Sequence, residues 1–142
     1  MREIKFRAWD KNTNTMYENI SILPSMECIA INVDYDHDFQ EYCIDESYVV
    51  ELKDVELLEY TGLKDKNGVE IYEGDIIKTH ENRIQTIIWE DNGFKREYTF
   101  KRTYLGESYF ETRSFDIGDS SHRNWGHEVI GNIYENPELL EK

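Results

Sequence analysis

Eighteen residues, Tyr60-Thr-Gly-Leu-Lys-Asp-Lys-Asn-Gly-Val-Glu-Ile-Tyr-Glu-Gly-Asp-Ile-Ile77, constrain the fold more than any other part of the chain. Asp65 to Gly68 is a turn cluster, and Asn67-Gly68 is the dipeptide best able to take the positive φ angles of a tight hairpin. Val69, Ile71, Ile76 and Ile77 are β-branched, and the Gly74-Asp75 break between them re-aims the chain into a new strand. Two turns and two strand starts in so short a span predict a small, tightly wound β domain. The stretch holds no set of side chains able to run a reaction.

The same grammar extends outward. Arg2 to Trp9 alternates, with Ile4, Phe6 and Ala8 on one face and Glu3, Lys5 and Arg7 on the other, which predicts a half-buried strand. Asp10 to Asn14 is a polar turn, and Met16-Tyr17 begins a partner strand, giving an N-terminal hairpin. Pro24 interrupts the apolar run Ile20 to Leu23, Cys28 to Val33 is a second short apolar run, and the pairing register over 15–50 stays open. Tyr48 to Tyr60 fits either a short helix or two strands broken at Lys53-Asp54, and its β-branched content favours strands. Ile84 to Trp89 reads as a strand ending at the hairpin signal Asp91-Asn-Gly93. Tyr98 to Tyr104 and Tyr109 to Phe115 follow, with Leu105 to Ser108 as the turn between them. Val129 to Tyr134 is a strand with a bulge or close approach at Gly131. Asn136 is expected to cap a short helical turn that starts at Pro137. The expected class is mainly β, with antiparallel strands in a small barrel-like domain, an N-terminal hairpin and a short C-terminal helical turn. Residues 1–142 are read as one domain, alternatively as a β lobe over 1–59 and a small barrel lobe over 60–142.

Charge and size narrow the function. A 142-residue chain can bury about 68–70% of its unfolded surface, so neither disulfide nor metal is required for folding. Aromatic residues, 13% of the chain, suit strands and bury much area each. Cys28 and Cys43 lie far apart without histidine neighbours, and we read them as free thiols. No apolar run approaches the roughly 20 residues of a membrane span, and Met1-Arg2-Glu3 opens onto no signal-peptide core. The expected setting is cytoplasmic, with no membrane contact. The net charge of −14 is uneven: residues 1–77 carry seven Lys/Arg against eighteen Asp/Glu, whereas 78–127 carry eight of each. Such a field repels phosphate backbones, and only the central block offers a place for a positive face.

Three blocks carry a resemblance: Arg2-Glu-Ile-Lys-Phe-Arg-Ala-Trp-Asp10, Tyr60 to Ile77, and Val129-Ile-Gly-Asn-Ile-Tyr-Glu-Asn-Pro-Glu-Leu139. In that order they resemble the YopX family of small proteins encoded by bacteriophages and prophages. The resemblance implies a phage-derived origin, a host-cytoplasmic setting and a β-rich fold. It implies no enzymatic activity, cofactor or catalytic residue to place on this chain. Glu73 to Ile77 also resembles the entry to the first strand of SH3-like barrels. The residues of these blocks read first as scaffolding. Gly62, Gly68, Gly74 and Gly131 serve turns, bulges or close packing. Asp65 and Asp75 bond backbone amides, and Tyr60, Tyr72 and Tyr134 supply rings at the core margin. The competing reading lines a binding groove with those tyrosines.

Three constellations carry chemistry that can be weighed. Asp34, Asp36, His37 and Asp38 offer oxygen ligands for a hard cation, but lack the glycine and distal glutamate of a calcium loop, and read as a solvated loop. Ser120, Ser121, His122 and His127 lack the strand–elbow–helix context of a serine nucleophile, and His80 shows no sequence partner. The strongest candidate is Phe94 to Tyr104, where Lys95, Arg96, Lys101 and Arg102 interleave with Tyr98, Phe100 and Tyr104. Exposed rings can stack on single-stranded bases while cations meet phosphates. The alternative is an amphipathic hairpin with rings inward and charges in water, which the net charge favours. No metal, cofactor or catalytic residue is expected. The expected function is a non-catalytic, binding or self-assembling accessory protein. Its partner would be a phage or host protein or a second copy. A single-stranded nucleic-acid module is the alternative.

Overall fold

The computed structural model describes residues 3–31, 35–36, 41–42, 49–117 and 126–141. The chain is mostly antiparallel β, with a curled half-barrel sheet and a short 3-10 turn near the C-terminus. It divides into two compact units, 1–60 and 61–142.

In the first unit, β1 (Phe6–Asp10) and β2 (Thr15–Tyr17) form the expected hairpin, with Trp9 opposite Met16. The Asp10 carboxylate closes its turn by accepting from the amides of Asn12 (2.8 Å) and Thr13 (3.2 Å). The expected alternation fails here. Arg7, Ala8, Trp9 and Asp10 are all buried, while Ile4 is 69% exposed. β1 lies between β2 and β8 (Val55–Lys64) in its sheet, and side chains on both of its faces are covered. A second, three-stranded sheet combines β3 (Ile20–Leu23), β4 (Cys28–Ile31) and β7 (Val49–Glu51). Pro24 opens a 3-10 turn between β3 and β4, and Glu27 takes a left-handed φ of 51° to re-enter the ladder. The register is Ile20 opposite Ile31 and Ile29 opposite Val50. Ala8, Ile29, Ile31 and Val55 form this unit's core. Cys28 is a buried free thiol, and Cys43 lies outside the described residues. Within the acidic segment read as a loop, β5 (Tyr35–Asp36) pairs with β6 (Glu41–Tyr42). A 3-10 turn at Leu52–Asp54 breaks the chain between β7 and β8, where the sequence placed the break.

In the second unit, β8 continues through residues 61–64 and neighbours β9 (Glu70–Tyr72). Their turn differs from the expected dipeptide form. Gly68 N–H donates to the Asp65 carbonyl (3.1 Å) and Asp65 N–H to Val69 (2.8 Å). Gly68 alone takes a positive φ, 81°, so the loop is an ordinary four-residue turn closed by a left-handed glycine. A five-stranded sheet follows in the order β13-β12-β11-β10-β14. Its strands are β10 (Asp75–Lys78), β11 (Ile84–Glu90), β12 (Gly93–Tyr104), β13 (Glu107–Asp116) and β14 (Glu128–Asn132). Two-residue turns with both central φ angles positive join β11 to β12 (Asp91 50°, Asn92 61°) and β12 to β13 (Leu105 50°, Gly106 82°). Such mirror-image turns match the strand twist. Gly93, expected in the turn, is the first residue of β12.

Ile76 pairs with Gly131 but Ile77 with Val129, so Ile130 is the extra residue of a bulge beside Gly131. A Cβ at Gly131 would lie 2.5 Å from Asn136 Oδ1. That contact also corrects the expected cap: Asn136 makes no side-chain bond to its own 3-10 turn (Pro137–Leu140), and instead accepts from Asn132 N–H (3.3 Å). Ile71, Ile77, Ile87, Phe94 and Ile117 form the core of this unit.

Candidate functional site

The register of β12 and β13 sorts every side chain of the basic-aromatic stretch onto one of two faces, because residues directly opposite in an antiparallel ladder share a face. Arg96, Tyr98, Phe100, Arg102 and Tyr104 share one face with Phe115, Arg113, Glu111, Tyr109 and Glu107. Lys95, Thr99, Lys101 and Thr103 share the other with Asp116, Thr112, Phe110 and Ser108. The seven candidate residues therefore do not form one surface: Lys95 and Lys101 point away from the other five.

The first face begins as core and ends in solvent. Phe94 and Arg96 are buried, Tyr98 and Phe100 half-buried, and Tyr104 is 69% exposed. β11 begins only at Ile84, and past that point β12 and β13 run on as a two-stranded arm, so the pattern that makes a core at Phe94 continues outward. The rings of the stretch therefore divide: Phe94 faces inward and Tyr98 and Phe100 partly so, whereas Tyr104, with Tyr109 and Phe110 of β13, stands exposed at the arm's far end.

Along that face the rings and arginines are ordered. Tyr98 stacks on Phe100 (centroids 5.3 Å) and on Phe115 (5.8 Å). The guanidiniums of Arg113 and Arg102 sit 5.3 and 5.5 Å from the Phe100 centroid, and that of Arg83 lies 5.9 Å from Tyr98. Such cation–ring contacts orient the cations as well as attracting them. Glu111 receives both Arg102 (2.9 Å) and Arg113 (2.8 Å), and its hydrogen bond and charge raise the Arg113 pKa. Where β11 begins, Arg83, Tyr98, Phe100, Arg102 and Arg113, together with Ile84 and Thr99 from the opposite face, line a groove of about 580 Å³, within the range of ligand pockets, roughly 300–1,000 Å³. On the opposite face, Asp91 bonds Lys95 (3.0 Å) and raises its pKa, and Thr99 bonds Thr112 (2.8 Å).

Beneath Tyr98 lies a smaller recess, about 150 Å³, to which Thr79, His80, Glu81, Arg83, Gln85, Arg96, Phe115 and His127 contribute. The turn after β10 builds its rim: Thr79 Oγ1 accepts from Arg83 N–H (3.1 Å), and Asn82 takes a φ of 60°. Arg96 and His127, both buried, meet at 3.4 Å. Sequence reading missed this recess. Arg83, Gln85 and His127 follow no shared motif, and residues 96 and 127, 31 positions apart, meet only in the folded chain. Ser120, Ser121 and His122 lie outside the described residues, as do Asp34, His37 and Asp38. Among the described residues, no cluster of His, Cys, Asp or Glu side chains is placed to hold a metal ion, and no helix is long and apolar enough to cross a membrane.

The scaffold glycines and aspartates resolve individually. Asp65, buried, accepts from Asn67 (2.8 Å) and Val69 (2.9 Å) in its own turn and from Val129 N–H (2.9 Å) on β14. Asp75 accepts from Tyr72 N–H (2.8 Å). Gly74, at φ 82°, lies under the Tyr134 ring, and its carbonyl accepts from Ile133. Gly62 has a φ of 84° inside β8, and the Tyr72 hydroxyl bonds Glu70 (3.1 Å).

Fold and site together define a β-sheet protein that carries an arginine–aromatic arm. The chain belongs to the YopX protein family, whose model matches residues 5–141. It is similar to protein EF1440 from Enterococcus faecalis, known from a crystal structure. The identity is 30%, the match covers 99% of this chain and 100% of that one, and the TM-score is 0.69. No curated protein matches the chain.

Proposed function

We propose that this chain is a phage or prophage accessory protein that works in the host cytoplasm by binding rather than by catalysis, and that the β12–β13 arm carries the contact. The partner is a second copy of the chain or another protein. One observation carries the reading: the arm presents Tyr104 (69% exposed), Phe110 (65%) and Tyr109 (48%) to solvent. Large rings at such exposure are the residues that interfaces bury. Charge supports it, since residues 93–116 hold five Lys/Arg against four Asp/Glu in a chain of net charge −14. An acidic body can therefore attract the arm of another copy. The phage origin rests on the family resemblance.

Light scattering of the wild type and of Tyr104→Ser/Phe110→Ser, with pull-down from host lysate at low and high salt, tests the proposal. We expect a salt-sensitive assembly or complex that the double variant loses. A variant that assembles and captures like the wild type, or a wild type that does neither, contradicts it.

A second reading, single-stranded nucleic-acid binding, is favoured by the Tyr98–Phe100–Phe115 stack with Arg83, Arg102 and Arg113 around it. Ring platforms flanked by cations suit bases and phosphates, against the opposing net charge. Retention of a short single strand on a filter at low salt tests this reading, and its absence at micromolar protein ends it.

A further inference from the structure

We infer that the open edge of β13 pairs antiparallel with β13 of a second copy about a two-fold axis at Thr112, joining their sheets into one. The inference rests on the reading that the arm carries the contact, and it fixes both partner and register. Among the described residues, β13 has β12 as its one neighbour and ends its five-stranded sheet. It runs for ten residues, nine of them exposed, and pairs with β12 without a register shift. Proteins blunt open edges with short strands, bulges, proline or lysine. The other described edges obey: β14 is broken by its bulge, and the rest have four residues or fewer. β13 carries none of these devices.

Backbone and side chains agree on the register. Ile117 N–H donates to the Phe94 carbonyl (3.1 Å), so the alternation of the ladder turns the odd-numbered residues of β13 toward β12. The backbone groups of Ser108, Phe110, Thr112, Ser114 and Asp116 therefore point to the open edge. Residues directly opposite share a face, so odd must meet odd and even must meet even. An axis at Glu111 or at Arg113 sets like charges face to face, which is destabilising. An axis at Phe110 overlaps only residues 107–113 and leaves Phe115 out. With the axis at Thr112, residues 108–116 overlap, and Glu111 meets Arg113 and Tyr109 meets Phe115, each twice. Arg113 bonds its own Glu111 through Nε (2.8 Å) and carries further N–H donors. The two copies thus close a ring of alternating charges, flanked on each side by a pair of aromatic rings.

Sedimentation equilibrium over a concentration series tests the pairing. We expect the wild type to dimerise. Ser114→Pro removes an outward N–H and spares the β12 ladder, and it should weaken the dimer by about tenfold or more with the circular dichroism unchanged. Glu111→Arg and Arg113→Glu should each weaken it as much, because each sets like charges opposite one another. An equimolar mixture of those two variants should form a heterodimer, since every facing pair is then of opposite sign; its recovery excludes misfolding as the cause of the loss. A mixture that stays monomeric, or a dimer indifferent to Ser114→Pro or to Glu111→Arg, overturns the pairing. If that indifferent dimer is lost in Tyr104→Ser/Phe110→Ser, the arm remains the contact and only the strand pairing falls. A wild-type monomer that captures a host protein through the arm has the same meaning. A monomer that captures nothing overturns both.

Discussion

Asp65 ties a local turn to a distant strand with one carboxylate. Burial alone would raise its pKa, but the N–H groups of Val129, Val69 and Asn67, with the Lys66 charge, outweigh burial and hold it below the usual carboxylate value. At Asp10 the same contest between burial and turn amides also ends in a lowered pKa. A carboxyl whose folded pKa is depressed contributes stability above its unfolded pKa, near 3.9, and loses it as pH falls through the folded value. Urea midpoints should therefore hold from pH 7 to about 5 and drop steeply below about 4. Asp65→Asn keeps the shape but turns an amide toward at least one N–H donor. It should cost about 1.5–3 kcal/mol at pH 7 and flatten the acid limb of the urea-midpoint profile. An unchanged midpoint would remove Asp65 from the account. The sequence shows the turn amides because they are local; it does not show Val129, 64 positions away.

At the scale of elements, turns and bulges set the register, and most of them were legible. The Asn, Asp and Gly clusters at 10–14, 65–68, 91–93 and 105–106 each became a reversal, because left-handed backbone selects few residue types. Which residue carries the positive φ was less legible: Asn67-Gly68 and Asp91-Asn92-Gly93 each fit more than one turn type until the strands fix the frame. Leu105 holds a φ of 50° at 86% exposure, a poor choice for that conformation. Leu105→Asn should slow amide exchange at the end of the arm, equivalent to roughly 0.5–1 kcal/mol, and faster exchange would argue against the turn assigned here. At the bulge, Gly131→Ala should cost about 1–3 kcal/mol through contact with Asn136. The cost should shrink in an Asn136→Ala background, and strictly additive losses in chemical denaturation would deny the contact. The short strands over 20–51 were hardest to place, since runs of three or four residues leave the register weakly specified by pattern alone.

At the scale of the molecule, the consequential feature is a sheet whose core face runs past its own core. The alternation of rings from Phe94 to Tyr104 predicted the strand but not its two environments. Periodicity records which residues share a face; it does not record where the neighbouring strand ends. β11 begins at Ile84, and beyond that point the Arg96–Tyr98–Phe100 face loses its neighbour and runs out to the exposed tip. Because Tyr104 and Phe110 are mostly exposed, Tyr104→Ser/Phe110→Ser should shift stability by no more than about 0.5 kcal/mol. A large loss would mean that those rings stabilise the fold. Amide exchange over residues 98–113, compared between the dilute protein and its assembled or partner-bound state, tests the arm's role most directly. The account predicts protection concentrated on the arm, absent in the double variant. Protection confined to other strands, with the arm exchanging as freely as in the dilute protein, would contradict it.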